Sequence, residues 1–215
     1  MDQTMDQLLN NKKIIAIIRG IPSGTGHDVA QALYDGGVRF LEITLNTGGA
    51  LEMISELKEA FQGKLRVGAG TVLNVEDAKA SIEAGAEYVV SPHFDEEVVT
   101  YCLSQGVPVW PGTMTPTEMM RATNLGAPAV KVFPVGALGV KYIKDVRGPL
   151  NHIKMIATGG VNLDNIQDVI TYGVTAVGLG GNLVNNQLIA QGKYNEITEL
   201  ARAYAAKVEE VVVHG

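Results

Sequence analysis

Two short runs place an ionisable side chain where a strand interior is expected. Residues 129–133 read AVKVF and residues 40–44 read FLEIT. Both are rich in Val, Ile, Leu or Phe, as befits a strand covered on both faces. Yet the first carries Lys131 and the second Glu42. Side chains alternate across a strand, so Ala129, Lys131 and Phe133 share one face opposite Val130 and Val132. By the same rule Phe40, Glu42 and Thr44 lie opposite Leu41 and Ile43. If the aliphatic pairs face helices, Lys131 and Glu42 turn inward. A buried ammonium is costly without a partner or a use. The two groups then form either a structural ion pair or a nucleophile with its proton carrier. At lysine's ordinary pKa near 10.4, only about one amine in 2,500 is neutral at pH 7. Desolvation raises that share and a neighbouring carboxylate lowers it, so the sequence leaves the balance open.

The elements that must hold these groups follow a repeat. Glycines 37, 63, 85, 106, 126, 148 and 173 fall just before short apolar runs, at intervals of 20 to 26 residues. The runs are VRFLEITL, KLRVGAG, AEYVVS, VPVWPG, APAVKVF, IKMIATGG and TAVGLGG, with IIAIIRG before them all. Between them lie stretches of helical spacing such as GALEMISELKEAF, NVEDAKASIEAG, DEEVVTYCLSQG and TPTEMMRATNLG. Several open on a capping residue, Asn74, Asp95 or Thr115, and close on glycine. Strand then helix, eight times, predicts a single (β/α)8 TIM barrel over residues 1–215. An open doubly wound sheet is the alternative. MDQLLNNKK predicts an extra N-terminal helix against the barrel, and YNEITELARAYAAKVEEV the last long helix.

In such a barrel the carboxyl ends of the strands build the site. Those ends carry Arg19, Glu42, Thr44 and Asn46, Gly70 and Thr71, Ser91 and His93, Pro111, Lys131 and Phe133, Thr158 and Gly159, and Gly180 with Gly181. ATGGV at 157–161 and GLGGN at 178–182 are small turns after the last two strands, where this fold commonly holds a phosphate through backbone N–H groups. Glycine for tight packing accounts for either turn alone. Trp110, Lys141, Lys144 and Arg147 read as packing or solvated surface.

The net charge of −6 argues against a general binder of nucleic acid or anionic membranes. Cys102 is the single cysteine, so neither an intrachain disulfide nor a cysteine zinc site can form, which fits a reducing compartment. His27, His93, His152 and His214 are scattered without paired metal spacing. The N-terminus lacks the apolar core of a signal peptide, and no run reaches the length of a membrane span. A cytoplasmic protein is expected.

Taken together, VKVFP around Lys131, LEITL around Glu42, GAGT at 68–71, SPH at 91–93, PGTMTPTE at 111–118 and TGGV at 158–161 give a close resemblance. The chain resembles the 2-keto-3-deoxy-6-phosphogluconate / 4-hydroxy-2-oxoglutarate aldolases, class I enzymes that form pyruvate. The resemblance implies that Lys131 makes the Schiff base and that Glu42 is the general acid and base. It implies Arg19 and Thr71 at the substrate carboxylate, Pro92 and Phe133 lining the pocket, and Gly159, Gly160, Gly180 and Gly181 at a distal phosphate. Thr44 and Thr158 complete the expected substrate-binding set. It further implies a homotrimer that needs no metal and no cofactor, acting on a 2-keto acid or phosphorylated sugar acid. Two positions depart from the pattern. Asn46 stands where phosphogluconate-type members carry arginine, as in the phosphogalactonate branch, and Gly181 stands where a serine is frequent.

The rival readings are a metal-dependent aldolase, another phosphate-handling barrel such as an isomerase or transferase, and a non-catalytic phosphometabolite-binding protein. The second of these explains the glycine turns but does not need an inward lysine.

Overall fold

A computed structural model describes residues 4–214. The repeat becomes β1 (Ile14–Ile18), β2 (Phe40–Thr44), β3 (Arg66–Gly70), β4 (Val89–Val90), β5 (Val109–Trp110), β6 (Gly112–Thr113), β7 (Val130–Val132), β8 (Met155–Thr158) and β9 (Ala176–Leu179). They form one parallel sheet in the order β5-β4-β3-β2-β1-β9-β8-β7-β6. The strands at its two ends, β5 and β6, are the halves of one run joined at Pro111, so the ring closes through the chain itself. The run expected as the fifth of eight strands is split there because proline has no N–H for the ladder. Its carbonyl still pairs, accepting from Lys131 N–H at 2.9 Å.

Helices cover the outside: α2 (Gly26–Asp35), α3 (Ala50–Ala60), α4 (Val75–Glu83), α5 (Glu96–Ser104) and α6 (Pro116–Asn124). The connection from β7 to β8 holds two short helices, α7 (Val135–Leu138) and α8 (Lys141–Arg147), and β8 leads to α9 (Ile166–Thr171). After β9 come the short α10 (Asn186–Ala190) and the long α11 (Tyr194–His214), which lies against α2, with Thr198 Oγ1 donating to the Ala32 carbonyl at 3.0 Å. Asn74, Asp95 and Thr115 each cap a helix through the side chain, as their positions predict. Among the glycines of the repeat, Gly126 takes φ 100°, a turn that L side chains resist, whereas Gly148 stays at −51° because α8 runs into a longer loop before β8.

Strand alternation yields two cores. Val130, Val132, Leu41 and Ile43 are buried between sheet and helices. Ile15, Phe40, Tyr88, Val90, Trp110, Ala129, Ile156 and Ala176 fill the barrel's lower interior. There the rings of Tyr88 and Trp110 stack at 4.4 Å between centroids. The first helix, α1 (Met5–Lys12), closes this end: Leu9 is buried within the inner core, and Met5 and Leu8 pack beside it. Lys154 Nζ and Asp6 Oδ2, 2.6 Å apart, tie α1 to the chain just before β8.

Candidate active site

Above the aromatic layer the interior turns polar. Lys131 comes from the middle of β7, and Val130 and Val132 on either side belong to the outer core. Glu42 comes from the middle of β2, with Phe40 one inward step below it. The two meet across the barrel, Lys131 Nζ lying 3.5 Å from Glu42 Oε1, with side chains only 5% and 2% exposed. Glu42 Oε1 is fully buried and has no hydrogen-bond partner among the described residues. A carboxylate oxygen left in that state inside a protein is expensive, and such groups accumulate where chemistry is done.

Small residues make the room. A Cβ on Gly70 would overlap the Glu42 carboxylate, and one on Gly178 would come within 2.6 Å of Thr158 Oγ1. Beneath them the Tyr88 hydroxyl donates to the Leu41 carbonyl at 2.7 Å. Burial pushes that hydroxyl's pKa well up, and the charges of Glu42 and Glu87 push it further, so Tyr88 remains a protonated floor.

Lys131 opens onto a cavity of about 210 Å³. Phe133, Thr158, Gly159, Gly180 and Gly181, all expected at the site, line it with Arg19. Ile17 and Gly178 line it too and were missed, although alternation along IIAII and GLG puts both on the inner face. The Phe133 ring centroid lies 5.3 Å from Lys131 Nζ. Arg19 stands just past β1, and its Nη2 reaches Thr71 Oγ1 at 3.5 Å. Thr71 holds φ 59°, a left-handed conformation that a β-branched residue adopts only under constraint.

The remaining expected residues lie outside that lining. Thr44 is fully buried behind it, its hydroxyl donating to the Ile18 carbonyl at 3.2 Å and pairing with Thr47 Oγ1 at 3.0 Å. Gly160 is turned against Gly136. Pro92 is half-buried, with its carbonyl against Gly112. His93 and Asn46 are exposed. Arg147 is structural, donating to the carbonyls of Ile153 and Asn151. No group of three or more His, Cys, Asp or Glu that could hold a metal ion occurs among the described residues.

A second cavity of about 590 Å³ adjoins the first, sharing Ile17, Arg19 and Gly181 and adding Val184, Asn185, Asn186 and Gln187. These side chains arrive when the chain folds back after β9, which no local sequence signal foretells. No helix among the described residues is long and apolar enough to cross a membrane.

The family model of KDPG and KHG aldolase matches residues 5–200. The chain is 34% identical over 200 residues to a 2-dehydro-3-deoxy-phosphogluconate aldolase of Treponema pallidum (strain Nichols), an alignment covering 93% of this chain and 95% of the relative. It is 32% identical over 197 residues to the 2-dehydro-3-deoxy-6-phosphogalactonate aldolase of Escherichia coli (strain K12), covering 91% and 96%. Among solved structures it resembles KDPG aldolase from Legionella pneumophila, captured with pyruvate at low pH as a covalent carbinolamine intermediate. That likeness has a TM-score of 0.87 at 27% identity and covers 94% of this chain and 98% of the other.

Proposed function

The chain belongs to the KDPG and KHG aldolase family and is a carbon–carbon lyase, and we infer that Lys131 is the amine through which it works as a class I aldolase. The observation that carries this reading is the buried contact between Lys131 Nζ and the otherwise unpartnered Glu42 Oε1, opening on a cavity with one further cation, Arg19.

The substrate is a 2-keto-4-hydroxy acid: 2-keto-3-deoxy-6-phosphogluconate, its galactonate epimer, or 4-hydroxy-2-oxoglutarate. The guanidinium of Arg19, with Thr71 beside it, holds the carboxylate end. Lys131 first passes a proton to Glu42; its lone pair then attacks the C2 ketone, and the proton shed by the nitrogen goes to the oxygen, giving a neutral carbinolamine. Glu42 then protonates the departing hydroxyl, water leaves, and a protonated imine remains. Glu42, now a carboxylate, removes the C4 hydroxyl proton. The C3–C4 pair flows into the imine, giving an enamine and a free aldehyde, which is glyceraldehyde 3-phosphate from the six-carbon acids and glyoxylate from the five-carbon one. Protonation at C3 and attack of water on the resulting imine release pyruvate and restore the amine. Phe133 and Ile17 keep the reacting carbons against apolar surface, and Gly159, Gly180 and Gly181 face the distal end.

Borohydride quenching in the presence of pyruvate tests this directly. One reduced adduct should appear by mass spectrometry on the peptide containing Lys131, and Lys131→Ala should show neither adduct nor turnover. A near-normal rate in Lys131→Ala would reject the scheme. We further propose that residues 1–215 act as one catalytic domain in a cytoplasmic homotrimer, as the family resemblance implies. Sedimentation should then give three times the 22.8 kDa chain mass.

A further inference from the structure

We propose that Asn186 is a positioning residue that, together with Thr47, clamps the corner carrying Arg19 and so sets the affinity of the site for the keto-acid carboxylate. The proposal rests on the aldolase reading above, in which Arg19 receives that carboxylate. Arg19 follows the last residue of β1, is exposed, and precedes Gly20, which turns at φ 60°. A long flexible side chain on such a corner has no fixed direction unless the backbone beneath it is held.

It is held from two sides. On one side Asn186, at the start of α10, donates through Nδ2 to the carbonyl of Arg19 at 3.1 Å and to that of Gly20 at 3.0 Å. Both partners are acceptors, so the amide orientation follows from its neighbours, and both of its N–H bonds are committed to this corner. On the other side Thr47 Oγ1 accepts the N–H of Gly20 at 2.9 Å and pairs with Thr44 Oγ1, which in turn donates to the carbonyl of Ile18. The backbone from Ile18 to Gly20 is thereby tied to β2 and to α10. The guanidinium itself leans on Thr71 Oγ1, supplied by the turn after β3. Asn186 borders the second cavity alongside Arg19, where a bound acid would pass. α10 has five residues, and Asn185 Oδ1 already accepts the N–H groups of Gln187 and Leu188 at its start, which leaves Asn186 free for this contact.

A corner that merely stabilised the fold would alter melting and leave binding untouched. A corner that aims a carboxylate ligand alters half-saturation more than turnover, because the carboxylate is held alike in ground and transition states. The test measures the pyruvate concentration giving half-maximal borohydride-trapped adduct, and KM and kcat for cleavage, in the native chain, Asn186→Ala, Thr47→Val and Thr47→Ser. Asn186→Ala and Thr47→Val should each raise half-saturating pyruvate and KM about tenfold, the effect of losing one or two ordinary hydrogen bonds, with kcat changed less than about twofold. Thr47→Ser keeps the hydroxyl and should restore native half-saturation, even if its packing lowers the melting temperature. Adduct formation in the native chain with unchanged half-saturation in Asn186→Ala would overturn the clamp alone. So would a fall in kcat with KM unchanged. No adduct in the native chain would overturn the aldolase reading, and the clamp with it.

Discussion

A Cβ on Gly70 has no space except that filled by the Glu42 carboxylate. On the acid–base role proposed for Glu42, Gly70→Ala should push the carboxylate away from Lys131 and lower kcat about 100-fold, since such a group contributes roughly 10²–10⁴. The variant's circular dichroism should match the native spectrum, and its activity against a pyruvate-forming substrate gives the kcat. Glu42→Gln, which keeps the shape but cannot take a proton, should fall by the same order or more. The inward turn of Lys131 and Glu42 was legible in the sequence because alternation along AVKVF and FLEIT sets each opposite an aliphatic pair, whereas their contact depends on how the barrel closes. The surroundings of Thr44 were not. Its inward parity is as expected, but its hydroxyl is claimed by Ile18 and Thr47, a partner choice set by how the loop after β2 returns. Asn186 was invisible for the same reason, being 167 positions from the carbonyl it binds.

The elements around the site are held by local chemistry that can be removed one group at a time. Thr115 and Glu118 form a reciprocal capping box at the start of α6, immediately after β6. Thr115→Ala should lower stability by about 1 kcal/mol, seen as a shift in the urea midpoint. Burial works to raise the Glu118 pKa, but N–H donors from Met114 and Thr115 and the Thr115 hydroxyl outweigh it, leaving it below the ordinary carboxylate value. A lowered folded pKa stabilises above the unfolded value of about 4.3 and fades as pH falls through the folded one. The deficit of Glu118→Gln relative to the native chain should thus be present at pH 7 and shrink steadily as pH is lowered below the unfolded value of about 4.3. Helix limits of this kind are written in the cap residues and were read from them. The break at Pro111 was not anticipated as two strands, although the missing N–H that causes it is plain in the sequence.

Over the whole molecule, the strand–helix alternation predicted a barrel rather than an open sheet because eight such units in 215 residues favour closure. What no repeat predicts is how the lower opening is filled. Leu9 enters a core made by residues from six different strands, so Leu9→Ala should destabilise the fold by about 2–5 kcal/mol in denaturant unfolding. With the stacked rings of Tyr88 and Trp110 above it, that stopper makes the barrel a blind tube. On the mechanism proposed for Lys131, traffic then keeps to a queue: whatever is bonded to that amine sits deepest, and the aldehyde fragment lies between it and the mouth. In cleavage the aldehyde departs first and pyruvate last. In condensation pyruvate has to enter first, so product-inhibition patterns should be those of an ordered sequence, with pyruvate alone competing against the intact acid.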